Sequence, residues 1–334
     1  MARRGWSGAV VLAEGVSVVS RIRRRFWVTG AVAAALLLAA CGSLRGGGAG
    51  ASTACGRSAH SVHALTWMVS GGAVAKLLAV PGARTAVTTA LDSRHTVVIG
   101  SRPAAIRSWQ VRRARTATSL AGVAAVLRRA GAQRLSAVVY DQESWKFTPR
   151  VEQTDPAPYV RRAEAMAHRR GVKLIATPAT DLVWSVTRPA PGTVYATFLR
   201  LGIAGKVAPF ADIYEIQAQG AEAGVQQYRS FVAAVAGEVH AANPQAVLLA
   251  GLSTNPTGQR VTPAELEADV AATRRVVAGY WLNVPAGGPY CPTCGVAQPQ
   301  VGARLLESLY GRGGGGQGGR VSAPLRRDRR CRLG

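Results

Sequence analysis

Short apolar runs alternate with longer stretches of mixed character along most of this chain. Seven runs read as strands: ALTWMV (64–69), HTVVIG (95–100), LSAVVYD (135–141), VKLIATP (172–178), ADIYEIQAQ (211–219), AVLLAGLS (246–253) and GYWLNVP (279–285). Most are nearly continuous in apolar residues, as strands buried on both faces are. The intervening segments 105–131, 155–171, 192–205, 223–243 and 262–279 mix apolar and polar positions at helical spacing. Thr262-Pro263-Ala264-Glu265 has the form of a capping box with proline in the first turn. Asp155-Pro156 reads as a second helix start, and Gly131, Gly171 and Gly279 fall where helices should end before the next strand.

Alternating strands and helices of this kind imply a parallel sheet covered by helices. The folded part, about 61–310, has the size of one barrel. An open doubly wound sheet is the competing architecture, but no G-x-G-x-x-G or Walker motif follows an early strand. Polar residues instead recur at the C-terminal ends of strands, where a (β/α) barrel builds its site. The expected fold is a single (β/α)8-like, TIM-type barrel, complete or slightly irregular. Seven strands leave the eighth unassigned.

The 48% hydrophobic content suffices for such a core. The formal charge of +24, from 41 Lys and Arg against 17 Asp and Glu, raises the question of nucleic acid. Residues 1–40 carry +5 of that charge and residues 311–334 carry +6, and the remainder is scattered rather than striped. No basic-aromatic motif accompanies it, so nucleic acid is not an expected partner. The tail from Gly311, GRGGGGQGGRVSAPLRRDRRCRLG, is basic, low in complexity and expected to be disordered.

Because acids are scarce, their placement is informative. Asp141 and Glu143 end the third run, and side chains two apart in a strand share a face, here with Val139 beneath them. Carboxylates ending an inward row are costly unless they meet water, a cation or a substrate. A salt bridge to an arginine, or capping of the next helix, is the competing reading. Tyr140 and Gln142 point to the other face unless the strand breaks first. Glu215, Gln217 and Gln219 repeat the pattern, with donors and acceptors suited to hydroxyl or acetamido groups; a solvent-facing edge strand would look the same. Thr177, Asp181, Ser253, Asn255 and Asn283 stand at or just beyond other strand ends. Trp145 and Trp281 could stack on sugar rings or plug the barrel rim. No H-E-x-x-H, metal-spaced cluster or G-x-S-x-G occurs, so no metal, cofactor or common serine nucleophile is expected.

Two resemblances follow from these residues. The segment RIRRRFWVTGAVAAALLLAACGS has a basic stretch (Arg21 to Arg25), an apolar stretch (Phe26 to Ala40) and then small residues. It resembles a bacterial lipoprotein signal peptide, with Leu38-Ala39-Ala40-Cys41 matching the lipobox. That implies cleavage before Cys41 and lipidation of its thiol. Residues 1–40 would be the export segment and 41–60 a flexible tether. The protein would be anchored by lipid to the outer face of the bacterial cytoplasmic membrane. An uncleaved anchor is the alternative, and the Sec and twin-arginine routes both stay open. Export makes disulfides feasible. For Cys291-Pro292-Thr293-Cys294, a redox site, a zinc site and a local disulfide compete, and the disulfide is favoured because the segment is a late Gly/Pro-rich loop with no second ligand pair.

VVYDQESW, a strand ending in Asp-x-Glu, resembles the motif of chitinase-type (β/α)-barrel glycoside hydrolases. The resemblance implies that Glu143 is the general acid. Asp141 would orient a substrate acetamido group that serves as nucleophile. It covers Tyr140 to Glu143 only; the family's two further upstream acids are replaced by Val139 and Ser136. Glu215 is a candidate second carboxylate, and the expected substrate-binding set is Tyr140, Trp145, Asp181, Gln217, Gln219, Asn255, Trp281 and Asn283. The expectation is a lipoprotein with a glycoside-hydrolase-like barrel acting on a glycan. The alternative is a non-catalytic barrel that binds a glycan or a protein.

Overall fold

In the computed structural model, residues 65–129, 135–190, 192–288 and 291–311 are described. The export segment, Cys41, the tether, Cys55, Gly131, the tail from 312 and Cys331 lie outside the described residues, as does any lipid attachment. Among the described residues no helix is long and apolar enough to cross a membrane.

Eight parallel strands close on themselves in chain order, with β8 pairing back onto β1. They are β1 (Thr66–Ser70), β2 (Val97–Ile99), β3 (Arg112–Ala117), β4 (Ala137–Gln142), β5 (Lys173–Pro178), β6 (Ile213–Ile216), β7 (Val247–Ser253) and β8 (Gly279–Asn283). Around them run α1 (Gly71–Leu78), α2 (Arg84–Leu91), α3 (Leu120–Arg129), α4 (Arg150–Thr154), α5 (Pro156–His168), α6 (Val183–Val186), α7 (Val194–Leu201), α8 (Ile203–Val207), α9 (Val225–Ala242), α10 (Pro263–Thr273) and α11 (Pro299–Tyr310). This is a (β/α)8 barrel of TIM type.

The strand missing from the sequence pattern is β3. The segment 105–131, read as one helix, contains β3 followed by α3. RRARTA carries no apolar run, yet its backbone pairs with β2 through Val97↔Arg112 and with β4 through Ala114↔Ala137. Only Ala114 and Ala117 are buried there, so the arginine side chains lie along the sheet with partial access to water. Three further boundaries move. Strand β6 stops at Ile216, so Gln217 and Gln219 lie beyond it. Asp155 makes no side-chain cap bond at the start of α5. Gly279 opens β8 rather than ending a helix, and a Cβ there would lie 1.8 Å from the Thr66 carbonyl oxygen. The capping box at Thr262 and Glu265 is present, and Gly171 takes a positive φ of 64° after α5.

Alternation along each strand divides the core in two. Met68, Val97, Ile99, Ala114, Ala137, Val139, Ile175, Ile213 and Leu249 fill the inside of the barrel. The opposite face, including Trp67, Tyr140, Leu174, Tyr214 and Tyr280, packs against the helices. Fully buried Trp67 donates its indole N–H to the Tyr310 hydroxyl at 2.8 Å, pinning α11 over the β8–β1 seam. Gly302 lets α11 settle there, since a Cβ would meet Leu77 Cδ2 at 3.0 Å. At the C-terminal ends of the strands the apolar interior gives way to polar residues. There the next inward positions after Val139, Ile175, Ile213 and Leu249 are Asp141, Thr177, Glu215 and Gly251.

Candidate active site

Asp141 is the last inward residue of β4, opposite Thr177 of β5. Its Oδ1 accepts hydrogen bonds from the Thr177 hydroxyl at 2.9 Å and the Gln217 amide at 3.0 Å. Gln217 also donates to the Thr177 carbonyl at 3.2 Å, so the chain just past β6 clasps β4 and β5 together. Burial pushes the Asp141 carboxyl up to about 6; its two donors oppose the shift, and the nearby Asp181 charge adds to it.

Glu143 follows one turn of the pleat later, where the chain leaves the strand. Its backbone N–H donates to the Thr148 hydroxyl at 3.3 Å. Its carboxyl is pushed up to about 9, first by burial and then by the charges of Asp141 and Asp181. Asp181, in the turn after β5, accepts the Ser144 N–H at 2.9 Å, and burial raises its carboxyl too. The loop that carries Glu143 is held from several sides. The Trp145 indole N–H donates to Thr148 Oγ1 at 2.9 Å, and its ring meets Phe147 edge-on at 5.1 Å. The Gln153 amide donates to the carbonyls of Trp145 (2.7 Å) and Thr148 (2.6 Å) and accepts from the Ser185 hydroxyl at 2.6 Å. Thr148, Gln153 and Ser185 were not singled out from sequence, because turn and short-helix positions carry no periodic signal.

Glu215 forms the floor. It is fully buried, and among the described residues neither carboxyl oxygen has a hydrogen-bond partner of good geometry, although the Gln219 amide is near enough to oppose the upward shift. Burial raises its pKa well above the carboxylate range, and the charges of Asp141 and Glu143 push the same way. Gln219, the nearest amide, fills the inner position that Gly251 leaves open: a Cβ on Gly251 would lie 2.3 Å from the amide. Three carboxyls therefore stack inside the barrel mouth, with no cation paired to them among the described residues.

Above them opens a cleft of about 860 Å³. Asp141, Glu143, Trp145, Trp281 and Asn283 all line it. Trp281 and Asn283 are successive inward residues of β8, and the Trp281 indole N–H is buried without an acceptor among the described residues. Two expected binding residues stand elsewhere. Tyr140 faces the helix layer, where its hydroxyl donates to Glu152, and Glu152 also accepts the Leu120 N–H at 3.0 Å. Asn255 is buried, and its amide donates to the carbonyls of Cys294 (2.8 Å) and Val296 (3.3 Å), so it ties loops together instead of facing a ligand. Glu215, Gln217, Gln219 and Asp181 are not among the residues that line the cleft. A disulfide joins Cys291 and Cys294, whose Cα atoms are 5.4 Å apart, and Cys291 borders the cleft. Among the described residues no His, Cys, Asp and Glu cluster has the grouping of a metal site.

No protein-family model matches the sequence, and no curated protein matches it. Among solved structures the chain is similar to a chitinase from Chromobacterium violaceum ATCC 12472, at 11% identity and a TM-score of 0.44, over 74% of this chain and 99% of that one. A class V chitinase from Pseudomonas fluorescens Pf-5 gives 10% identity and 0.45, over 74% of this chain and 100% of that one. The spore cortex-lytic enzyme of Bacillus megaterium QM B1551 gives 9% and 0.45, over 74% of each chain. At these values no activity carries over from those proteins, and the functional reading rests on the cleft.

Proposed function

We propose that the barrel cleaves a glycan chain laid across the strand-end cleft, with Glu143 as proton donor. One observation carries this: Glu143, whose carboxyl is pushed up by burial and two acid neighbours, opens into a cleft beside Asp141, itself held by Thr177 and Gln217. A group poised in this way suits general acid catalysis. Trp145 and Trp281 offer rings to the apolar faces of sugars, and Asn283 offers an amide.

The resemblance of VVYDQESW to chitinase-type enzymes supplies the chemistry to test. Glu143 gives its proton to the glycosidic oxygen as the C1–O bond breaks, and the bonding pair leaves with that oxygen. The acetamido oxygen of the same sugar bonds to C1 while Asp141 accepts the acetamido N–H. Water then adds at C1 as the bond from C1 to the acetamido oxygen breaks, its electron pair returning to the acetamido group, and the water gives a proton to Glu143. Glu215, sealed beneath Asp141, acts through its charge state rather than by touching substrate. Incubating the full chain with chitin-type oligosaccharides and peptidoglycan strands, followed by mass spectrometry, is the test. Glu143→Gln is expected to slow product release by about 10²–10⁴-fold with the fold intact. Equal rates in both proteins would remove Glu143 from the reaction.

A binding-only barrel is the second reading. It is favoured by the apolar row beneath Asp141, where Val139 and Ala137 leave it without a carboxyl neighbour in its own strand. That reading expects affinity without any product. The lipobox reading of Leu38 to Cys41 further supports a lipid-anchored, exported protein. Cys41→Ala should then leave the protein unprocessed or release it from the membrane fraction.

A further inference from the structure

The wall of the cleft away from Glu143 carries charge of the opposite sign. Lys76, on α1, is half-buried and lines the cleft. Its Nζ donates to the Val284 carbonyl at 2.9 Å, just past the end of β8. One of three N–H donors is thereby used, and among the described residues no carboxylate lies within salt-bridge distance. Arg129, at the end of α3, also borders the cleft, but α3 packs against β3 and β4, so Lys76 alone stands for the far wall. The acids lining the cleft among the described residues are Asp141 and Glu143. The strand carrying Lys76's helix, β1, and the strand carrying Asp141, β4, are three places apart around the barrel. At roughly 4.8 Å per strand that is about 14 Å along the sheet, near the opposite wall. The cleft thus has a carboxyl pole and an ammonium pole.

An ammonium that faces the cleft with donors to spare and no carboxylate partner among the described residues is placed to receive an anionic group of a ligand. Placing that anion near Lys76 also keeps it clear of Asp141. We infer that the chain's substrate is an acidic glycan, and that a sugar carboxylate pairs with Lys76 while the cleaved bond lies at Glu143. The inference rests on the glycan reading above and narrows it. The carboxylate belongs to a neighbouring sugar of the same chain rather than to the one at the cleaved bond. The pairing also fixes which way the chain lies in the cleft.

The test is equilibrium binding to the full chain carrying Glu143→Gln, so that no turnover intervenes. The probes are a peptide-free peptidoglycan tetrasaccharide, whose lactyl ethers carry carboxylates, its methyl ester, and a neutral chitin tetrasaccharide. The free acid is expected to bind roughly tenfold tighter than its ester, corresponding to one charge-assisted hydrogen bond. Added Lys76→Met should bring the two within about twofold, and added Lys76→Arg should restore most of the gap. If the amine is only a tether for Val284, Lys76→Met would lower the melting temperature and leave the preference intact, which overturns the inference. Should the Met variant fail to fold, loss of the preference in high salt in the unsubstituted cleft supports the pairing, and a salt-independent preference contradicts it. Equal binding of acid, ester and chitin overturns the acidic substrate but not the glycan reading. Binding of none overturns both.

Discussion

Glu143 keeps its proton because burial and two neighbouring carboxyls all disfavour its ionised form, while no donor is directed at its oxygens among the described residues. Asp141 differs: Thr177 and Gln217 donate to it, so it ionises well before Glu143 does. If Glu143 is the acid, kcat/KM should hold through neutrality and fall as pH rises through about 9. Asp141→Asn removes one of the charges that raise Glu143, so the alkaline limb should move to lower pH, even as the rate itself drops. An unmoved limb would show that another group titrates there. The pair Asp141 and Glu143 was legible because two acids one residue apart end an apolar run, and strand geometry puts them on one face. Lys76 was not, since it reaches the cleft from a helix by the length of its side chain. Tyr140 was assigned to the site by its place in the motif, whereas the same alternation that brings Asp141 inward turns Tyr140 out.

At the scale of elements, the barrel depends on close backbone approaches that sequence pattern does not announce. Gly279 sits against Thr66 where β8 meets β1, with no room for a Cβ. Gly279→Ala should cost roughly 2–4 kcal/mol, read from the urea midpoint, because the clash is with backbone and cannot be relieved by a rotamer change. A loss below about 1 kcal/mol would mean that the seam yields easily. Seven strands were visible as apolar runs, and their positions hold within a few residues of the observed ones. The eighth, Arg112–Ala117, was hidden because its pairing is made by backbone groups while arginines occupy half of its side-chain positions. The disulfide loop is a smaller case. Reducing Cys291–Cys294 should lower the melting temperature only slightly, since so short a ring constrains the unfolded chain little. It should weaken ligand binding more, because Cys291 borders the cleft and Asn255 anchors the loop through Cys294.

For the molecule as a whole, raised carboxyl pKa values become a stability profile. Burial lifts Asp141 to about 6, Glu222, buried just before α9, to about 7, Asp269, buried on α10, to about 8 and Glu143 to about 9. Each binds its proton more tightly folded than unfolded, where carboxyls titrate near ~4. The folded state therefore loses stability as pH rises from about 4 through these folded values. His168, raised chiefly by its hydrogen bond to Asp212, has the same sign. Urea midpoints should accordingly fall from pH 5 to pH 9, and a rising profile would contradict the burial of these groups. The barrel as a whole could be anticipated because strand–helix alternation leaves few architectures, but which polar strand ends meet in one cleft depended on closure and register. The protonated acid in that cleft is read most directly by a ¹³C carboxyl titration of Glu143 in the full chain, assigned by difference from Glu143→Gln. The expected midpoint is near 9, moving down in Asp141→Asn. A midpoint at the ordinary 4.5 would mean that Glu143 is ionised at neutral pH and cannot be the proton donor.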